Sequence, residues 1–158
     1  MPMKPIIQSI FTYPLACLYR FFSIVHKKYL ARKATSTTNF TPMIRIGGLR
    51  SGGEHKTPIA ALIAQHAQQL NYTPAILVFD VYKSGAKNLI PITDQWVHPY
   101  ASDEALMLRD MQRGDVYATR DRFAAWKELS SYGYDLVISD GGIEDPRLDT
   151  AYTICLQT

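Results

Sequence analysis

A chain of 158 residues has room for one medium domain, since domains usually run to roughly 100 to 150 residues, and its 47% hydrophobic content excludes global disorder. Cys17 and Cys155 are too few for a disulfide framework or a CxxC metal knuckle and read as plain thiols in a reducing compartment. The net charge of +3 hides an asymmetry: eight of the 17 basic residues precede the first acidic residue, Glu54, so the first third carries +8 and the remainder −5.

A basic, acid-free leader points to an anionic membrane surface or to nucleic acid, and the neighbouring apolar residues choose between them. From Ile6 to Tyr19 there is no charge, and the apolar character resumes after Arg20. The run is interrupted by Pro14 and Arg20, too early for the ~20 apolar residues of a bilayer span. A helix begun at Pro14 places Leu15, Leu18, Phe22, Val25 and Tyr29 along one face, with Arg20 and Lys27 opposite. Residues 1–34 therefore predict an amphipathic leader helix lying on anionic lipid, with no nucleic-acid partner. A helix packed on the domain suits the same spacing. A signal peptide suits it less, because the Lys27 to Lys33 cluster follows the apolar run and no small-x-small cleavage site stands out. Thr35 to Thr41, small and polar, reads as a linker.

The domain from Pro42 to Thr158 alternates strand and helix signals. Met43 to Ile46 is a short strand running into Gly47-Gly48, and Pro58 to Leu70 carries a helical apolar face. Ala75 to Val81 reads as a strand buried on both faces, Asp103 to Met111 as helix, and Val116 to Ala118 as a brief strand. Arg120 to Tyr132 reads as helix stopped by Gly133, and Leu136 to Ser139 and Thr150 to Leu156 as two further strands. Lys83 to Tyr100 looks like a surface loop. This order predicts an α/β domain with a mostly parallel sheet flanked by helices, whose functional residues follow the carboxyl ends of strands.

Four places could carry chemistry. The loop Gly47 to Thr57 joins strand to helix and ends in Lys56-Thr57, the form that wraps backbone N–H groups around phosphates, with Lys on the phosphate oxygens and Thr on Mg²⁺. It departs from GxxxxGK[ST], with Arg50 and His55 at the two Gly positions, and a glycine-rich turn before a helix capped by Thr57 fits the same residues. Asp140 ends an apolar strand, as a Mg²⁺ ligand beside a nucleotide does, but Asp140-Gly141-Gly142 is also a good turn sequence. Asp103-Glu104 could supply a general base, or could place acids where a helix macrodipole favours them. Arg120-Asp121-Arg122 suits phosphate contact or ion pairing on a helix surface.

In order and spacing these elements resemble the tetraacyldisaccharide 4'-kinases of lipid A biosynthesis. The family's loop, roughly VGNxTVGGTGKTP, is followed without a gap by Ile46 to Pro58, and its GDEP-like element by Ser102-Asp103-Glu104-Ala105. Arg120-Asp121-Arg122-Phe123-Ala124-Ala125 matches an RDR-x-A-A stretch, and Asp140 to Leu148 matches DDGLQHPRL. The resemblance implies a P-loop-like nucleotide-binding domain and ATP-dependent phosphorylation of the 4' hydroxyl of a lipid A disaccharide precursor, at the cytoplasmic face of a bacterial inner membrane. It further implies ATP held by Ser51, Gly52, Gly53, Glu54, His55, Lys56 and Thr57, Mg²⁺ held by Thr57 and Asp140, and Asp103 as the catalytic base. It reaches the family's amino-terminal half, so a separately encoded second lobe is a partner it leaves open.

The departures fall on the chemistry. Glu54 and His55 replace small residues in the cradle, Gly141 replaces a second acid, and of an Arg-Gly-Tyr pattern near Asp80 only Tyr82 remains. A carboxylate 4 Å from a phosphate charge costs about 4 kcal/mol at an effective dielectric of 20. These changes predict weak turnover or none in the isolated chain. The competing expectation is accordingly a non-catalytic, membrane-bound α/β remnant or nucleotide-binding module.

Overall fold

The computed structural model describes residues 17, 19–25, 28–29, 39–48, 55–80, 89–93, 101–148 and 152–157. The chain divides into two compact units, Met1–Thr35 with Asp145–Arg147, and Ser36–Glu144 with Leu148–Thr158. In the first, residues 19–25 and 28–29 are helical and Tyr19, Phe21, Phe22 and Tyr29 are exposed. Leu15, Leu18 and Lys27, which the spacing sets on that helix, lie outside the described residues. Among the described residues no helix is long and apolar enough to cross a membrane.

The second unit holds a six-stranded mixed sheet: β1 (Met43–Gly48), β2 (Pro74–Phe79), β3 (Leu89–Pro91), β4 (Asp115–Thr119), β5 (Leu136–Asp140) and β6 (Tyr152–Leu156). The spatial order is β3-β4-β2-β5-β1-β6, with every pairing parallel except β3 on β4. Among the described residues of this unit three α-helices alternate with the strands: α1 (Lys56–Gln69), α2 (Asp103–Asp110) and α3 (Arg122–Leu129).

The period of two in the central strands sorts their side chains into two cores. Ile76, Val78, Ile138, Val116 and Ala118 point to one face, where α1 contributes Ala60, Ala61 and Ala64 and α2 contributes Ala105 and Leu108. Ala75, Leu77 and Val137 point to the other and meet Phe123, Trp126 and Leu129 of α3. Covered on both faces, β2 can be apolar throughout, which is why its sequence shows no alternation.

Several boundaries depart from the sequence expectation. The stretch from Lys83 to Tyr100 is not all loop, because Leu89–Pro91 forms the antiparallel edge strand β3, with Leu89 and Ile90 buried. Its third residue is proline, which an edge strand tolerates. β2 ends at Phe79 rather than Val81, and the Asp80 carboxylate accepts from the Ser102 N–H at the start of α2. α3 is shorter than 120–132. Asp121 caps it, accepting from the N–H groups of Phe123 (3.1 Å) and Ala124 (3.3 Å), and Ser130 closes it by donating back to the Trp126 carbonyl. Ahead of β1, Phe40 packs edge-on against Trp126, whose indole N–H donates to the Thr41 carbonyl at 2.7 Å.

Candidate functional site

The site lies at the carboxyl ends of β1 and β5, neighbours in the sheet whose register sets Ile46 beside Asp140. The Gly141 N–H donates to the Ile46 carbonyl at 2.8 Å, so the turn after β5 stays tied to the strand that enters the glycine loop. Gly47 is small for a local reason: a Cβ there would stand 1.8 Å from Cγ2 of Ile143.

α1 rises from that loop and carries Lys56 and Thr57 in its first turn. The Thr57 hydroxyl donates to Oδ2 of Asp140 at 2.7 Å in a buried bond between residues 83 apart in sequence. Thr57 thus does not cap its helix. The N-cap residue is His55, which makes no side-chain cap bond and has φ 54° and ψ 28°. That is the left-handed region, which glycine enters freely and other residues enter at a cost.

Asp140 is 8% exposed, and burial pushes its carboxyl above the usual carboxylate value. The Thr57 hydroxyl, Lys56 and Arg122 oppose that rise, while Glu104 adds to it. A cavity of about 330 Å³ opens here, lined by Lys56, Thr57, Glu104, Arg122, Asp140 and Glu144 together with Phe79 and the Gly141-Gly142 turn. Two cations and three carboxylates therefore face one small space.

Of the residues singled out in the sequence, the structure brings Lys56, Thr57 and Asp140 together. His55 sits at the foot of α1, exposed. Asp103 is exposed at the start of α2 and does not line the cavity, whereas its neighbour Glu104 does. Ser51, Gly52, Gly53 and Glu54 lie outside the described residues. Sequence reasoning left Arg122 between phosphate contact and surface pairing; its guanidinium reaches over β5 to the Asp140 carbonyl. The signal was its place just after a strand, where an α/β sheet puts functional groups.

The family model described as tetraacyldisaccharide-1-P 4'-kinase matches residues 8–157. The chain belongs to this family. Among its relatives, a tetraacyldisaccharide 4'-kinase of Aliivibrio fischeri is 23% identical over 84% of this chain and 40% of its own length. A Bartonella henselae relative of the same name is 28% identical over 89% and 40% respectively, and one from Xylella fastidiosa strain M23 is 31% identical over 68% and 32%. The chain thus spans about 40% of the length of the first two of these curated relatives. A crystal structure of LpxK from Aquifex aeolicus, described as in complex with ATP, superposes with a TM-score of 0.63 at 20% identity, covering 85% of this chain and 44% of that one. That likeness establishes the fold, the mostly parallel sheet flanked by helices that the strand and helix order predicts.

Proposed function

We propose that this chain is the nucleotide-binding half of a lipid A disaccharide 4'-kinase. It would grip the phosphates of ATP between the foot of α1 and the end of β5, for transfer of the terminal phosphoryl group to the 4' hydroxyl of a tetraacyldisaccharide. The observation that carries the reading is the buried Thr57 to Asp140 bond, 2.7 Å long, which joins the loop-borne hydroxyl to the strand-borne acid at one point of the sheet. The cavity is at the low end of the ~300 to 1,000 Å³ of ligand pockets, a size suited to a polyphosphate tail.

Mg²⁺ is implied by the family, and the residues present fit it. The Thr57 hydroxyl and the Asp140 carboxylate are hard oxygen donors side by side, and burial leaves the carboxylate in need of a cation. Among the described residues no three His, Cys, Asp or Glu side chains are placed to hold one metal ion together, so the phosphates would supply much of the coordination, as is usual for Mg²⁺. When bound, the ion would neutralise charge on the transferring group. Lys56 would bind phosphate oxygens, and the first-turn N–H groups of α1 would face them with the positive end of the helix dipole. Asp103 is the candidate base for the sugar hydroxyl, and its exposed place at the start of α2 leaves it open to an incoming acceptor.

The leader, residues 1–34, would hold the chain at the cytoplasmic face of a bacterial inner membrane. The exposed Tyr19, Phe21, Phe22 and Tyr29 on helical residues, beside Arg20 and Lys28, support an interfacial placement. A second reading, nucleotide binding without turnover, is favoured by His55, which sets a side chain and a left-handed backbone where the cradle should be bare.

Calorimetry with MgATP tests the grip. Binding at millimolar or tighter dissociation constants, lost in Lys56→Ala, is the expected result, and absence of binding by the wild-type chain refutes the proposal. Transfer of labelled γ-phosphate to tetraacyldisaccharide 1-phosphate, absent in Lys56→Ala, separates turnover from binding alone. The leader is checked by co-sedimentation with anionic vesicles, which should fail once residues 1–34 are removed.

A further inference from the structure

Arg122 opens α3, outside the loop that would hold phosphate, yet it is built into the turn that carries Asp140. Its Nη2 donates to the Asp140 carbonyl at 2.9 Å, its Nη1 lies 3.7 Å from Oε1 of Glu144, and its guanidinium carbon stands 4.9 Å from the centre of the Phe79 ring. Its side chain is 12% exposed. Beneath it the chain passes through Gly141 and Gly142 at φ 92° and 95°. A Cβ on Gly141 would stand 2.7 Å from Nη2, and one on Gly142 would stand 2.8 Å from Cδ. The turn is bare where the guanidinium rests.

The main chain at Asp140 is held from two sides. Arg122 takes its carbonyl, and the next N–H, that of Gly141, is bound to Ile46. Both bonds hold one peptide plane, that between Asp140 and Gly141, and the pairing of β5 with β1 and β2 holds the plane before it, so the direction in which the Asp140 side chain leaves β5 is fixed and its carboxylate meets the Thr57 hydroxyl.

We propose that Arg122 is a positioning residue: seated on the bare Gly141-Gly142 turn, it aims the Asp140 carboxylate at Thr57 and so sets the pair that a metal and phosphate would meet. The functional consequence rests on the nucleotide reading above, while the seat itself does not. A lysine cannot replace it, because the seat uses a planar fork that donates to a carbonyl while its face lies on an aromatic ring.

Two measurements test this. The first is a cycle of thermal unfolding without nucleotide on the wild type, Arg122→Met, Gly141→Ala and the double variant. Gly141→Ala should lower the melting temperature more in the wild type than in the Arg122→Met background, where the displaced group is already gone. Equal losses in both backgrounds overturn the seat. The second is ATP affinity with Mg²⁺ and with EDTA. Arg122→Met and Arg122→Lys should each lose about 10- to 100-fold of affinity in Mg²⁺, the usual effect of removing a group that orients a metal ligand, with little change in EDTA. Equal loss with and without the metal, or full retention by Arg122→Lys, would make Arg122 a plain phosphate-facing charge and overturn positioning. If the wild type binds no ATP in either buffer, the nucleotide reading fails, and the unfolding cycle alone decides whether Arg122 holds the turn.

Discussion

Replacing His55 by glycine should stabilise this protein, although glycine in most places does the opposite. His55 has φ 54° and ψ 28°, and its side chain makes no cap bond that would compensate. A left-handed conformation costs a non-glycine residue about 1 to 2 kcal/mol, and the extra freedom of glycine in the unfolded chain costs roughly 0.5 to 1 kcal/mol. The difference leaves a net gain of about 0.5 to 1 kcal/mol, which for a chain of this size is a rise of roughly 1 to 4 °C in melting temperature. Thermal unfolding of His55→Gly beside His55→Ala measures it, since alanine keeps the Cβ and should bring no gain. Gln112, at φ 50°, is a comparison outside the site and should respond to glycine in the same direction. A neutral or lowered melting temperature for His55→Gly, with a gain at Gln112→Gly, would refute the reasoning: the imidazole would then be stabilising the foot of α1. MgATP affinity measured on the same variant tells whether the side chain also obstructs the cradle.

Three other outcomes follow from the packing and burial of the same domain. Because burial raises the Asp140 carboxyl above its ordinary value of 3.8, the folded chain holds a proton at pH values where the unfolded chain has lost it, so ionising Asp140 costs stability as pH rises through the raised value. Asp140→Asn, which keeps an acceptor for Thr57, should thus unfold at a higher temperature than wild type at pH 7, with the gap narrowing on acidification and closing near the ordinary carboxylate range. Gly47→Ala should cost about 1 to 3 kcal/mol in denaturant unfolding, because the new Cβ falls 1.8 Å from Ile143, and Ile143→Ala in the same chain should recover part of it. Trp126→Phe should cost about 1 to 3 kcal/mol, since it removes the 2.7 Å donor from the buried Thr41 carbonyl, and a change below 0.5 kcal/mol would mean that water takes its place.

The sheet and the heart of the site were legible because both rest on local patterns. Strand, glycine loop and Lys-Thr helix occur within Met43 to Gln69, and an apolar strand ending in an acid occurs within Leu136 to Asp140, so one parallel pairing joins them. Leu89–Pro91 was hidden because three residues are too few to show a period, and only pairing with β4 makes them a strand. Arg122 stood out in the sequence, but its role stayed open for another reason. A charged residue at the start of a helix looks the same whether it faces water or bends inward, and the Gly141-Gly142 turn that admits it lies 19 residues further along the chain. The left-handed backbone at His55 had one signal in the sequence, its place at a glycine position of GxxxxGK[ST], since histidine itself enters that region less freely than glycine.

The inner side of α1 is almost wholly alanine: Ala60, Ala61, Ala64 and Ala67 are the residues it buries besides Thr57. Small side chains make up the fully buried contact of this rod with β2 and β5, with Ile59 and Ile63 partly buried beside them, so its axis runs closer to the strands than leucines at those positions would allow. That spacing governs how far the first turn stands from the strand ends. Swapping Ala64 for leucine, two turns along α1 from Lys56 and Thr57, would jack the rod outward and stretch the reach from hydroxyl to carboxylate. Precision in the cleft is accordingly an output of how thin the layer beneath it is, and a search for tighter or looser phosphate capture can start in the interior rather than among the polar residues.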